Sequence, residues 1–243
     1  MSPETAALAL RGVSAGYGRS TVLRGVDLTV EPGKVTGLLG ANGVGKTTLL
    51  RVAAALIRPR AGEVLQDGRA VTKLGAHQRA RLGVCLIPEG RGVFRSLSVR
   101  DNLRLFLRSG TPGAADIGVA VEAFPILGKR MNQRAGTLSG GEQQMLAVAK
   151  AFLCQPSVVL ADELSLGLAP KIIDEIYASL RVLNTRGVGL LIVEQYVHRI
   201  LDFAEEVSVL AKGQVAWTGP ARDLDEQALL DSYLGDTEVK GPA

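Results

Sequence analysis

Three short runs of nearly continuous apolar residues stand out along the chain. They span residues 83–87, 158–161 and 189–193, and each is bounded by polar or helix-breaking residues. Strands that are covered by helices on both faces show this pattern, so the three runs predict buried parallel strands. Segments of helical character lie between and beside them, at residues 99–107, 117–124, 142–154 and 170–183.

Elsewhere the patterning predicts short strands and one more helix. The predicted strands lie at residues 8–13, 22–30, 34–39 and 63–66. The helix is predicted for residues 47–56. Two apolar runs at 207–210 and 215–218 flank Lys212-Gly213 and predict a C-terminal hairpin. The polar segment after Gly235 predicts a loose tail.

Strands and helices therefore alternate through most of the sequence, which predicts an α/β fold with a mainly parallel sheet. The mostly helical stretch from about residue 90 to 154 interrupts this alternation. We interpret residues 1–243 as one domain that opens with an N-terminal antiparallel β subdomain. Its core would comprise about residues 1–89 and 155–235, with the helical subdomain inserted between them.

Composition supports a globular chain. Hydrophobic residues make up 47% of the 243 residues and charged residues 21%, which is too apolar for a disordered protein. The net charge of +4 is a mild excess that a solvated surface explains, and no nucleic-acid partner is expected. Cys85 and Cys154 lie in apolar surroundings and are predicted to be buried free thiols.

Signs of export or membrane insertion are missing from the sequence. No basic region followed by an apolar stretch appears near residue 1, and no apolar run approaches the ~18 residues that a membrane span requires. A cytosolic protein is expected. Any membrane role would then depend on docking to a partner that spans the bilayer.

Residues 40–47, GANGVGKT, match the phosphate-binding pattern G-x-x-x-x-G-K-[ST]. Glycines allow backbone N–H groups to turn toward phosphate oxygens, and the following helix directs its positive end at the anion. Lys46 is suited to reach the β- and γ-phosphates, Thr47 to ligate Mg²⁺, and Thr48 to add a donor. Chance is disfavoured because the pattern lies between a predicted strand and a predicted helix. The expected fold is therefore a P-loop NTPase core.

Two acids, Asp162 and Glu163, follow the apolar run at residues 158–161. Adjacent strand residues point to opposite faces, so the two carboxylates are placed for different tasks. Asp162 would hold Mg²⁺, directly or through water, and Glu163 would be the general base for the attacking water. An isolated Asp-Glu pair would be read as the start of an exposed loop. Beside a phosphate loop the catalytic interpretation is favoured, and it predicts hydrolysis.

Residues 138–142, LSGGE, open a predicted helix. Ser139 and Glu142 have the spacing of a capping box, so an ordinary helix start explains both. It does not explain Gly140 and Gly141, because glycine weakens a helix. The two glycines are understandable if a phosphate held by another molecule approaches the backbone at this positive helix end.

With these segments the chain resembles, over essentially its whole length, the nucleotide-binding subunits of ABC transporters. The resemblance implies a dimer that sandwiches two ATP molecules, each held on the glycine loop of one subunit and covered by the LSGGE segment of the other. The implied contacts in trans are Ser139, Gly140, Gly141 and Glu142. The implied ATP-binding residues are the adenine-stacking Tyr17 with its neighbour Val22, and Gly40, Asn42, Gly43, Gly45, Lys46, Thr47 and Thr48.

The resemblance also implies a metal site and a catalytic set. The implied metal ligands are Thr47, Glu89 and Asp162. The implied catalytic residues are Glu163, Gln195 and Lys46.

Four positions depart from the family pattern. Glu89 stands where a glutamine usually senses Mg²⁺ and contacts the membrane subunit, and Gln195 stands where a histidine usually touches the γ-phosphate. Ala169 replaces an aspartate and Leu164 a proline. Glu89 can still ligate Mg²⁺ but adds negative charge, while Gln195 can donate a hydrogen bond but cannot become cationic.

The departures resemble one branch of the family. PEGRGVF at 88–94, SLGLAP at 165–170 and VEQ at 193–195 are similar to the second of two ATPase subunits in branched-chain amino-acid importers; urea and amide importers use related subunits. This implies ATP and Mg²⁺ as cofactors, with membrane permease subunits and a second ATPase subunit as partners. A periplasmic or extracellular solute-binding protein would act indirectly. The implied location is peripheral, on the inner, cytoplasmic face of the cell membrane.

Three other classes of protein are weighed as alternatives. A soluble ABC-type ATPase of translation or DNA repair usually carries two such domains or a long coiled coil, and neither appears in the sequence. A P-loop kinase or GTPase would not need LSGGE, and no guanine-reading NKxD motif is present. A non-catalytic module would not need Lys46, Asp162 and Glu163 together. An ATP-hydrolysing transporter subunit is therefore favoured, with branched-chain amino acids as the implied solutes.

Overall fold

The computed structural model of the protein describes residues 6–107 and 116–225, so the predicted loose tail after Gly235 lies outside the described residues. The strands within these ranges are β1 Leu8–Ala15, β2 Leu23–Val30, β3 Val35–Leu39, β4 Ala61–Gln66, β5 Arg69–Ala70, β6 Val84–Ile87, β7 Val158–Asp162, β8 Gly189–Val193, β9 Glu206–Ala211 and β10 Gln214–Pro220. The helices are α1 Lys46–Ala53, α2 Ala76–Leu82, α3 Val99–Arg104, α4 Ile117–Ala123, α5 Pro125–Lys129, α6 Gly140–Cys154, α7 Pro170–Thr185 and α8 Val197–Phe203.

The central sheet has six strands in the order β10-β9-β3-β8-β7-β6. Every pairing among β9, β3, β8, β7 and β6 is parallel, and β10 closes one edge antiparallel to β9. All residues of β3, β7 and β8 are buried, because apolar clusters cover both faces of the sheet. The predicted parallel strands and the predicted C-terminal hairpin are confirmed.

A second, antiparallel sheet of four strands has the order β2-β1-β4-β5. In β2 the buried residues Leu23, Val26, Leu28 and Val30 are separated by exposed ones. One face of this sheet therefore joins the hydrophobic cluster that includes Leu49 and Leu50 of α1. This arrangement confirms the predicted N-terminal antiparallel β subdomain.

Helices α3 to α6 lie between β6 and β7 in the chain. Phe124 packs edge-on against Phe152 of α6, with ring centroids 6.2 Å apart. Leu146 and Val148 of α6 belong to the same hydrophobic cluster as Val159 of β7. The boundaries at about residues 90 and 154 therefore stay a prediction, since α6 packs against the other helices and against the sheet.

Some details differ from the sequence prediction. Helix α1 ends at Ala53 rather than near residue 56, because Ala55 adopts a left-handed φ of 60° that an α-helix cannot continue. The short helices α2, α5 and α8 and the two-residue strand β5 were not predicted. Cys85 is a buried free thiol as predicted, whereas Cys154, the last residue of α6, is partly exposed. None of the helices within the described ranges has the length and apolarity needed to cross a bilayer.

Arg79 of α2 is a buried cation that binds backbone carbonyls. It is 1% exposed. Its Nη1 donates to the carbonyls of Val52 and Ala53 at 2.8 Å each, while Nε and Nη2 donate to those of Val71 and Thr72. Burial lowers the pKa of Arg79 to about 10. Arg79 thus closes the C-terminal end of α1, where the helix dipole favours a positive charge.

Replacing Arg79 by leucine is expected to lower the free energy of unfolding by at least about 3 kcal/mol, because buried carbonyls lose charge-assisted donors. Urea unfolding followed by circular dichroism measures this. The matched control is Arg69→Leu in β5, where the side chain is exposed and a change within about 0.5 kcal/mol is expected. Equal losses in the two variants would contradict the capping role of Arg79.

Candidate active site at the carboxyl ends of the parallel strands

A cleft of about 440 Å³ opens where β3, β6, β7 and β8 end. It is lined by Tyr17, Val22, Asn42, Gly43, Gly45, Lys46, Thr47, Thr48, Glu89, Glu163 and Gln195. Every predicted ATP-binding residue except Gly40 is in this set. The structure also brings Glu89, Glu163 and Gln195 to the same cleft from three distant parts of the chain.

The loop between β3 and α1 needs glycine at specific positions. Gly40 has a φ of 154°, and a Cβ there would lie 2.4 Å from the carbonyl oxygen of Leu210. Gly45, directly before α1, has a φ of 117°, and its Cβ would lie 2.8 Å from Leu23. Side chains at either position would push the loop away from the sheet. The glycines of the motif are therefore required by the backbone path as well as by the approach of phosphate.

Lys46 is the first residue of α1 and is 6% exposed. Its Nζ donates to the carbonyls of Gly40 at 2.6 Å and Ala41 at 3.0 Å. Burial lowers the pKa of Lys46, and the nearby carboxylates of Glu163 and Asp162 oppose that shift. Two backbone carbonyls of the phosphate loop therefore hold the ammonium group against that loop.

Asp162 and Glu163 take different environments, as the alternation of strand residues predicts. Asp162 is 3% exposed, and its Oδ1 is buried with no hydrogen-bond partner among the described residues. Burial raises the pKa of Asp162 to about 6; the hydroxyl of Thr47 opposes this shift by donating to the carboxylate, and Glu163 and Glu89 add to it. A buried carboxylate with one unsatisfied oxygen, beside a hydroxyl, is suited to a cation.

Glu163 faces the cleft and contacts Gln195. Gln195 Nε2 donates to Glu163 Oε1 at 3.1 Å and lies 3.5 Å from Asn42 Oδ1. The backbone of Glu163 has a left-handed φ of 48°, and its N–H donates to the carbonyl of Val193 at 3.0 Å. An unfavourable backbone conformation of this kind is retained where surrounding contacts enforce it. The backbone of Glu163 is therefore held to the end of the neighbouring strand β8.

Tyr17 lies at the rim of the cleft and is 47% exposed. Its hydroxyl accepts a hydrogen bond from Arg51 Nη1 at 3.0 Å, and hydrogen bonding with Thr48 and with Arg51 lowers the pKa of Tyr17. Nearly half of the Tyr17 surface is therefore accessible to a binding partner. Sequence reasoning missed Arg51, which pattern alone cannot connect to a tyrosine 34 positions earlier.

The LSGGE segment lies outside the cleft lining. Ser139 Oγ accepts from the backbone N–H of Glu142, and Glu142 Oε2 accepts from that of Ser139, so the capping box is formed. A Cβ on Gly141 would lie 2.9 Å from Ile172 of α7, which gives a packing reason for this glycine within the subunit. The contact of this segment with a second nucleotide stays a prediction.

Arg91 lies in the segment between β6 and α3 and contacts α6. Its backbone has a left-handed φ of 76°, and its Nη1 donates to Gln143 Oε1 at 3.0 Å. A Cβ on Gly140 would lie 2.8 Å from the Arg91 guanidinium. Arg91 thus packs on the N-terminal turn of α6, close to the LSGGE segment.

A phosphate loop and a strand-end acid that line one cleft, with buried Asp162 next to that acid in the chain but outside the cleft lining, define a nucleotide-hydrolysing P-loop domain. The family described as ABC transporter matches residues 8–165, and the chain belongs to this family. It is an ABC-type ATPase.

Known relatives and solved structures are similar to this chain over most of its length. BraG of Pseudomonas aeruginosa, a high-affinity branched-chain amino acid transport ATP-binding protein, is 37% identical over 92% of this chain and 97% of its own length. LivF of Archaeoglobus fulgidus, a probable branched-chain amino acid transport ATP-binding protein, is 36% identical over 88% of this chain and 92% of its own length. A solved ATP-binding subunit of an ABC transporter superposes with a TM-score of 0.82 at 24% identity, covering 93% of this chain and 97% of that one. The last comparison confirms the fold.

Proposed function

We propose that this chain is the ATP-hydrolysing subunit of an importer for branched-chain amino acids. The observation that carries the proposal is the similarity to BraG, which extends over nearly the full length of both proteins. LivF, named for the same class of solute, supports it independently. The chain would act at the cytoplasmic face of the membrane through permease subunits, with a solute-binding protein acting on them from the other side.

Binding of ATP would use the cleft as it stands. Tyr17 would stack on adenine beside Val22, both of which line the cleft. The loop would receive the phosphates on its N–H groups, and Lys46 would exchange its two carbonyl partners for phosphate oxygens. Thr48 and Asn42 would add polar contacts.

Thr47, Asp162 and Glu89 would hold Mg²⁺. The fit rests on the unsatisfied Oδ1 of Asp162, the adjacent hydroxyl of Thr47 and the position of Glu89 in the cleft lining. Bound there, Mg²⁺ would neutralise charge on the phosphate oxygens. Among the described residues, no group of three or more His, Cys, Asp or Glu side chains is arranged to hold a metal ion.

Glu163 would accept the proton of the attacking water. Gln195 would orient this base, because its Nε2 already donates to Glu163 Oε1. The amide oxygen of Gln195 could accept a hydrogen bond from the same water. Lys46 would stabilise the negative charge of the phosphates as the bond to the leaving ADP lengthens.

The open side of the cleft would be covered by a second, more typical ATPase subunit. Two residues of this chain suggest that it needs such a partner. Glu89 adds negative charge near the phosphates, and Gln195 cannot become a cation. The LSGGE segment of the partner would supply donors to the nucleotide on this chain. Alone, this chain is expected to hydrolyse ATP slowly.

Reconstitution tests the proposal. The chain is purified alone and in vesicles with its permease subunits, second ATPase subunit and solute-binding protein, and ATP turnover is measured. We expect turnover to rise ~10-fold or more on assembly, because donors at the phosphates contribute that much or more. Leucine, isoleucine and valine should stimulate turnover further.

Specific outcomes would contradict parts of the proposal. Stimulation by urea or short amides in place of branched-chain amino acids would assign the chain to those importers. Full turnover that is unchanged by the second ATPase subunit would contradict the dependence on a partner. Turnover with no response to any permease would favour a soluble, non-transport ABC ATPase.

A further inference from the structure

Glu194 is a buried acid that the proposed mechanism leaves unused. It follows β8 directly and is 2% exposed. Burial raises the pKa of Glu194, and hydrogen bonds from Ser165 and Tyr177 oppose that rise. Burying a carboxylate costs free energy unless its oxygens accept hydrogen bonds. The hydrogen-bond partners of Glu194 therefore indicate its role.

Three hydrogen bonds from Ser165 and Tyr177 hold the Glu194 carboxylate. Oε1 accepts from the backbone N–H of Ser165 at 3.0 Å and from the Tyr177 hydroxyl at 3.0 Å. Oε2 accepts from Ser165 Oγ at 2.5 Å. Ser165 is itself 2% exposed and Tyr177 7% exposed. Both carboxylate oxygens are therefore bound inside the protein.

These contacts join two segments that each carry a residue of the proposed hydrolytic site. Glu194 is bonded to Gln195, and Ser165 lies two positions after Glu163. Glu163 and Gln195 are themselves 3.1 Å apart. The hydrogen bond from the Glu163 N–H to the carbonyl of Val193 joins the same two segments, one residue before Glu194 and two residues before Ser165. The contact between Glu163 and Gln195 is therefore accompanied by further hydrogen bonds between the end of β8 and the loop after β7.

Tyr177 anchors this network to the helical layer. Its ring packs edge-on against Phe203 of α8, with centroids 4.8 Å apart and planes at 75°. The loop that starts at buried Ser165 reaches the surface at once, because Leu166 is 48% exposed. The network thus links α7, the exposed loop after β7 and the strand end that carries Gln195.

We propose that Glu194 is a positioning residue for ATP hydrolysis: by holding Ser165, it fixes Glu163 against Gln195. The inference rests on the proposed role of Glu163 as the base. Glu194 lies behind the cleft and is not among its lining residues, so it acts through its neighbours. A misplacement of about 1 Å at a reacting group can cost ~10²-fold in rate, which makes such a support measurable in kcat.

Two substitutions separate positioning from folding. Glu194→Gln keeps Oε1 for Ser165 N–H and Tyr177 and offers an amide donor to Ser165 Oγ, so it should retain most of the wild-type kcat. Glu194→Leu removes all three acceptor contacts, and kcat should fall about tenfold or more while the KM for ATP stays near that of the wild type. Turnover is measured on the full chain assembled with its partner subunits, well below the thermal midpoint.

Asn184→Leu is the matched control for a buried polar side chain. Asn184 is 6% exposed, and its Nδ2 donates to the carbonyl of Val188, just before β8 and therefore at the opposite end of that strand. We expect a lower thermal midpoint with unchanged kcat. If Asn184→Leu and Glu194→Leu lower kcat only in step with their midpoints, the positioning role is overturned.

Two further variants, Ser165→Ala and Glu163→Gln, complete the test of the positioning role. If Glu194→Leu does not fold, Ser165→Ala removes one bond of the network and should lower kcat without changing KM; wild-type kcat in that variant overturns the proposal. An equal loss in Glu194→Gln and Glu194→Leu would also overturn it. Glu163→Gln is assayed in the same series, so retained turnover there contradicts the assignment of the base and not the role of Glu194.

Discussion

Glu163→Gln is expected to lower kcat for ATP hydrolysis by roughly 10²-fold or more while ATP binding is retained. The amide cannot accept the proton of water, so the general base is lost. The shape of the site should persist, because the new amide oxygen can still accept from Gln195 Nε2, which now lies 3.1 Å from Glu163 Oε1. Steady-state turnover gives kcat, and titration with a fluorescent ATP analogue gives the affinity.

Glu122→Gln controls for the loss of one negative charge. Glu122 lies exposed on α4, away from the cleft lining. Wild-type kcat is expected for this variant. Retained turnover in Glu163→Gln would show that another group accepts the proton.

Lys46→Met is expected to weaken ATP binding by about 10²-fold, which corresponds to about 3 kcal/mol. Two charge-assisted hydrogen bonds to phosphate oxygens, each worth about 1.5–3 kcal/mol, would be lost. Methionine keeps an unbranched side chain of similar length, so the start of α1 should stay packed. Isothermal titration calorimetry on the full chain measures the dissociation constant.

Lys34→Met tests whether any lysine near the sheet has this effect. Lys34 pairs with Glu31 immediately before β3, at the end of the strand opposite the phosphate loop. Its removal should leave ATP affinity unchanged. Equal weakening in both variants would indicate a general effect of net charge, and unchanged affinity in Lys46→Met would contradict the phosphate contact.

Features carried by contiguous residues were predictable from sequence. The phosphate loop is an eight-residue pattern, and its position between β3 and α1 follows from the patterning of its neighbours. Asp162 and Glu163 were found because they end an apolar strand. Tyr17, Glu89 and Gln195 needed the family resemblance, since nothing local distinguishes them. The structure places all three in the cleft lining.

Features that depend on distant backbone could not be predicted. Arg79 binds carbonyls 26 and 27 positions away, and carbonyls are common to all residues, so no pattern marks them. Glu194 was noted only as part of the family-like VEQ segment, and nothing in the sequence connects it to Ser165 and Tyr177, which lie 29 and 17 positions earlier. Gly141 was attributed to an approaching phosphate alone, because its contact with Ile172 of α7 is invisible in sequence.

The strand order also constrains when this protein can acquire its ligand during synthesis. β8 lies between β3 and β7 in the sheet although it follows both in the chain. A ribosome that has completed β7 has already delivered the phosphate loop and Asp162, yet β3 and β7 still have no strand to join them, and their facing edges are unpaired. Nascent chains should therefore gain nucleotide affinity only after residue 193 emerges.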